Sequence, residues 1–157
     1  MIDGEFFKFN LTTVFLLLIF CHVANSSNSI IPDEIDSPET TNLLLKAKYF
    51  EDNSKYDSSI FYYKKAEKNS ILLNDWESQA NCLIKISNIY KIQDDIIKAK
   101  EYISDAENII RLHSDTNTIL YAEVLHVKGS ISLNQSDNTK SINFFNRCID
   151  LKKKYYR

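Results

Sequence analysis

Glycine and proline are nearly missing: 157 residues hold two of each. Sandwiches and barrels draw on those residues for their tight turns, so the scarcity speaks against them and suits long helices. Gly4 and Gly129 are too few and too far apart for a glycine-rich loop that cradles phosphate. Cysteine is scarce as well, at three, and no pair has the spacing of a zinc site. Charge of neither sign dominates; the net charge of −2 argues against nucleic acid as a partner. An enzyme signature is also missing. His113-Ser114-Asp115 holds the residue types of a hydrolase triad, but a triad is a spatial arrangement that sequence neighbours cannot form among themselves. Asp94-Asp95 has no third ligand nearby in sequence, so helix capping is favoured over a metal pair or an acid–base dyad. No catalytic residue, metal or cofactor is expected.

What is present is a spacing. With 44% hydrophobic and 25% charged residues, the chain can bury the core of one globular domain. Ala47, Ser87 and Gly129 are small and recur at intervals of 40 and 42 residues. Four residues before each stands Leu43, Leu83 or Leu125, and three after stands Phe50, Tyr90 or Ser132. Further on come Tyr56, Ile96 or Asn138, then small Ser59, Ala99 or Ser141, large Tyr63, Ile103 or Phe145, and small Ala66, Ala106 or Cys148. Offsets of three and four share a helical face. Small residues let two helix axes approach while large ones fill the space beside them. Polar connectors (Asp52-Asn53-Ser54-Lys55, Gln93-Asp94-Asp95 and Asn134-Gln135-Ser136-Asp137) divide each unit into two antiparallel helices. A lone helical hairpin cannot bury its apolar face, so successive hairpins should stack.

On these residues the chain resembles the tetratricopeptide-repeat family across roughly residues 40–155. The large–small–aromatic pattern of that family's first helix is met by Leu43, Ala47, Phe50 and by Leu83, Ser87, Tyr90. The small–large–small pattern of its second helix is met in all three units. The period exceeds the usual ~34 residues, the closing proline is absent, and Ser132 and Asn138 replace bulky residues, so the third unit should pack loosely. The resemblance implies an all-α, right-handed superhelical stack of three hairpins, at 38–73, 76–113 and 116–156.

The pattern predicts helices at about 38–52, 55–73, 76–92, 94–113, 116–133 and 137–156. Ser37-Pro38-Glu39 can open the first through an N-cap, a first-turn proline and an acid at the positive end of the dipole. Asp75, Asp94 or Asp95, and Ser114 or Asp115 are N-cap candidates for the third, fourth and fifth. Trp76, the single tryptophan, is expected either to pack at the junction of the first two units or to act as a binding anchor. Cys82 and Cys148 fall in different hairpins and are expected as buried free thiols.

Residues 1–26 read as an export signal or a membrane anchor, with a buried helix as the other reading. Lys8 precedes an apolar stretch from Val14 to Phe20, short of the ~20 residues of a spanning helix, and small polar residues follow. Asp3 and Glu5 are unusual there. Residues 27–37 read as a linker. At the other end, Lys152-Lys153-Lys154 suits a helix C-terminus, and Ile142, Phe144, Phe145 and Ile149 make a final hairpin with no polar cap. Self-association through that hairpin, cover by a partner chain, or a longer protein would each follow.

In the resembling family the first helices line a concave groove that holds a peptide or a partner's helix. By resemblance the groove positions are Leu44, Lys48 and Glu51; Asn81, Ile84, Asn88 and Lys91; and Glu123, His126, Ser130 and Leu133. Some members clamp a C-terminal carboxylate. Lys48 and Asn88 match that scheme in part, while Glu123, His126 and Ser130 add no fixed cation. His126 is either a pH-sensitive contact or an exposed spectator. The leading expectation is an exported, non-enzymatic scaffold for a protein or peptide. The alternatives are the extracytoplasmic sensory N-terminal part of a larger signalling or transcription-regulatory protein, and an enzyme of unrecognised type.

Overall fold

The computed structural model describes residues 37–114 and 116–155. The expected signal, Cys21 and the linker through residue 36 lie outside the described residues, as do the side chains of Ser37 and Pro38. Six helices follow in order: α1 Ser37–Asp52, α2 Tyr56–Leu72, α3 Trp76–Ile92, α4 Ile96–His113, α5 Ile119–Asn134 and α6 Asn138–Tyr155. No strand occurs among the described residues. Each odd-numbered helix packs on the next to form a hairpin, and α2 packs on α3 as α4 packs on α5. First helices α3 and α5 also touch directly, whereas α1 makes no comparable contact with α3.

The six helices do not surround one centre. One core lies between the first and second hairpins, where Ala47, Ile60, Tyr63 and Ala66 meet Cys82, Ile86 and Ile89. Another lies between the second and third, where Ile103, Ala106 and Ile110 meet Tyr121, Val124, Val127 and Ile131. Helix α3 serves both, since Ala80, Leu83 and Ile84 belong to the second core. It is apolar on two sides because it is covered on two sides. Each buried isoleucine contributes about 2 kcal/mol of burial, and that contribution exists only while the neighbouring hairpin is in place.

The small positions are tight. Ala47 and Ser87 are fully buried. The Ser59 hydroxyl donates to the Ala47 carbonyl at 2.9 Å, and the Ser87 hydroxyl donates to the Ala99 carbonyl at 2.7 Å. Both bonds tie the two helices of one hairpin where their backbones come closest. The free thiols Cys82 and Cys148 are both buried. Burial pushes the Cys82 thiol up to about 12, which leaves it inert.

Four of the five connectors share one construction. Residues Ser54, Asn74, Asp94 and Ser136 adopt left-handed backbone, with φ of 55°, 55°, 62° and 60°. The next residue, Lys55, Asp75, Asp95 or Asp137, donates its N–H back to Phe50, Ser70, Tyr90 or Ser132, closing a Schellman motif. That same residue then caps the following helix. The carboxylates of Asp75, Asp95 and Asp137 accept from the N–H groups of Ser78, Lys98 and Lys140, while Lys55 provides no side-chain cap.

Three expectations need correction. Helix α4 starts at Ile96, not 94, because Asp94 occupies the left-handed position and only Asp95 caps. Helix α5 starts at Ile119, not 116. Its N-cap is Thr118, whose hydroxyl accepts from the Tyr121 N–H at 3.1 Å; Ser114 does not cap it, and Asp115 lies outside the described residues. Trp76 does not pack at the junction of the first two units. It packs against the second core and stacks on His113, with ring centroids 5.7 Å apart.

The exceptional α4–α5 connector lengthens the second interval, and side chains bridge it. Glu107 on α4 accepts from Arg111 at 2.9 Å, from the Tyr121 hydroxyl at 3.0 Å and from Lys128 at 2.6 Å. Burial raises the Glu107 carboxyl, but the bonds from Lys128 and Arg111 outweigh it and hold the group below its ordinary value. Beside this network, α4, α5 and α6 enclose a crevice of about 280 Å³ lined by Ile103, Ile131, Ser132 and Phe144. Ser132 is buried, but Asn138 is exposed where Tyr56 and Ile96 are half-buried. The polar substitution removes that residue from the packing.

Candidate functional site

The direct contact of α3 with α5 creates a seam in which both helices point the same way. At its N-terminal end lies a cleft of about 380 Å³, lined by Trp76, Glu77, Ser78 and Asn81 from α3 and by Thr118, Ile119, Leu120 and Glu123 from the start of α5. Two expected groove residues, Asn81 and Glu123, meet here. Trp76 presents part of its surface while His113 backs its ring. The cleft therefore offers an aromatic plane, two aliphatic side chains, an amide and two carboxylates.

The C-terminal end of the seam has the opposite charge. Asn88 accepts from Lys91 at 3.2 Å, and burial lowers the Lys91 ammonium. His126 is exposed, and its ring centroid lies 5.6 Å from that of Phe145 on α6. Partial burial lowers the imidazole below its ordinary 6.5, with Lys91 and Lys152 adding repulsion and Glu123 opposing. Burial and these two cations disfavour the imidazolium, and a bound anion would favour it.

The other expected positions divide. Ile84 is fully buried in the second core, because α5 covers it. Ser130 is half-buried and its hydroxyl donates to the His126 carbonyl of its own helix at 3.0 Å. Leu133 is exposed. On α1, Leu44 packs against the first core and Lys48 pairs with Asp52 on the surface. Glu51 points toward its own second helix, where it accepts from the Tyr63 hydroxyl at 2.7 Å. The residues on α1 are thus not gathered with those on α3 and α5.

Sequence reasoning did not place Glu77, Ile119, Leu120 and Lys152 at this seam. Glu77 stands in the first turn of α3, a position that spacing from the small residue does reach. Ile119 and Leu120 were hidden by the misplaced start of α5. Among the described residues no group of three or more His, Cys, Asp or Glu side chains could hold a metal ion. None of the described helices is long and apolar enough to cross a membrane.

Hairpins that stack through recurring small–large positions, with a separate core at each junction, define a helical repeat protein of the α-solenoid class. Residues 122–155 match the family model described as a tetratricopeptide repeat, a segment running from the middle of α5 to the end of α6. The first two hairpins repeat the same arrangement. The repeat is generally a protein-interaction module. No curated protein and no solved structure matches the chain.

Proposed function

We propose that the seam between α3 and α5 holds an extended peptide segment of a partner protein, and that the chain is a non-enzymatic interaction scaffold. The observation behind this reading is the seam's two-ended chemistry. Trp76, Asn81 and Glu123 lie around a cleft at one end, and Asn88, Lys91 and His126 lie at the other. Amide side chains match a peptide's backbone, and modest apolar surfaces anchor its side chains. A basic side chain or free amino group of the peptide belongs beside Glu77 and Glu123; an acidic group belongs beside Lys91, His126 and Lys152. The apolar stretch after Lys8 supports export, with residues 1–26 as leader or anchor.

The single tryptophan makes the reading testable without a label. Peptides with a basic residue toward one end and an acidic residue toward the other are titrated while Trp76 emission is followed. The expected result is a saturable change. Asn88→Ala plus Lys91→Ala, and separately Asn81→Ala plus Glu123→Ala, should each weaken binding about tenfold or more, in line with the loss of interface anchors. Affinities unchanged in both double variants would sink the assignment.

A further inference from the structure

We infer that the chain assembles head to tail with itself, the outer face of α1 in one copy stacking on the outer face of α6 in the next as another hairpin would. This goes beyond peptide binding at the seam and does not depend on it.

Several positions that an existing junction covers are exposed at the two outer faces. Tyr49, Ile89 and Ile131 hold one position of the repeat. Ile89 and Ile131 pack onto the preceding hairpin at 0% and 3% exposure, whereas Tyr49 is 60% exposed. Leu45 holds the position of Lys85 and Val127; Lys85 is half-buried and Val127 is 1% exposed, whereas Leu45 is 65%. On the far face, Ile60, which packs with the facing side of α3, is 8% exposed, while Ile142 at the equivalent position of α6 is 61%; between them the position is held by Lys100, which is exposed. Ile149 holds the position of Glu107, the residue that α5 grips through Tyr121 and Lys128, and it is 48% exposed. Large apolar side chains at repeat positions that elsewhere are covered mark an interaction surface.

Charge selects the occupant. In the existing junction Arg111 donates to the Tyr121 hydroxyl at 3.1 Å. The positions equivalent to Arg111 and Tyr121 at the two outer faces hold Lys153 and Glu39, both exposed and opposite in sign. Stacking α6 on α6 instead would leave Lys153 without Glu39, its opposite at the front face. The front of a second copy therefore fits the rear of the first better than another rear does. Such an interface is heterologous and leaves one face open at each end, so it continues into longer assemblies.

Sedimentation of the full chain over a wide concentration range tests this. Wild type should form a growing series of species. Tyr49→Glu, which spoils the front, and Ile149→Glu, which spoils the rear, should each lower the association constant about tenfold or more. Mixed together, the two variants retain one good front and one good rear, so they should form pairs and nothing larger. Circular dichroism checks that each variant folds; Leu45→Glu and Ile142→Glu replace them if either does not. Wild type that stays monomeric overturns the inference. So does association that neither variant weakens, or a dimer that Ile149→Glu abolishes and Tyr49→Glu leaves intact.

Discussion

A β-carbon added to Gly129 would sit 2.8 Å from Cε1 of Phe145. Helix α5 has a glycine at mid-length because the α6 ring lies against its backbone. An alanine there would favour the helix by about 1 kcal/mol in isolation, but the ring must move to admit it. Gly129→Ala should therefore destabilise the chain by about 1–2 kcal/mol in urea unfolding. Phe145→Leu should cost less in the Gly129→Ala background than alone. Additive effects in that double-mutant cycle would show that the contact does not set the residue.

The Glu107 network fastens α4 to α5 and should make stability sensitive to acid. A carboxyl whose folded value lies below its unfolded value stabilises the fold at higher pH, and that contribution disappears as pH falls through the folded value. Glu107 is such a group, held down by Lys128 and Arg111 against its burial. Urea midpoints should fall as pH drops from about 5 toward 3. Glu107→Gln should lower stability near neutral pH by about 1–2 kcal/mol and flatten that acid limb. An unchanged acid limb in the variant would assign the sensitivity elsewhere.

Helix α2 is the one helix after a Schellman turn that begins without a side-chain cap, at Lys55. Asp75 serves the equivalent place before α3 and accepts from the Ser78 N–H at 3.0 Å. Lys55→Asp should raise stability by about 1 kcal/mol, and Asp75→Ala should lower it by about as much. Thermal unfolding of both variants checks the pair; a Lys55→Asp protein no more stable than wild type would mean that α2 is held by packing alone.

His126 should titrate below 6.5, because partial burial disfavours its cation and Lys91 and Lys152 repel it. A native value below the unfolded one means that this group withdraws stability as pH falls through 6.5. Proton NMR of the imidazole gives the midpoint directly. Lys152→Gln should move it upward by a fraction of a unit. A midpoint at or above 6.5 would remove His126 from the cationic end of the seam.

The stacked-hairpin architecture was legible in the sequence because close backbone approach admits few residue types. Ala47, Ser87 and Gly129 had to be small, and Tyr63, Ile103 and Phe145 had to fill the space beside them. The helix starts were less legible where polar residues cluster. Asp94 and Asp95 are the same residue type, and only the left-handed turn at Asp94 decides which one caps. In the stretch from Ser114 to Thr118 several residues have capping chemistry, and the choice follows from the bridge that Tyr121 makes to Glu107. The candidate site was legible in part. Asn81 and Glu123 met because the interval was read correctly. The burial of Ile84 depends on how closely α5 approaches α3, and the aim of Glu51 depends on a phenol on another helix. Spacing within one helix carries neither fact.

At Asp75, Asp95 and Asp137 a single residue finishes one helix with its amide and starts the next with its carboxylate. Ends made this way cannot fray separately, since loosening one rod loosens its neighbour. Stretched from its termini, the array should resist peeling a turn at a time and give way in whole blocks. The first break should come at the joint after His113, where no Schellman turn joins the rods and only the packing of α4 on α5 and the Glu107 clasp hold the gap.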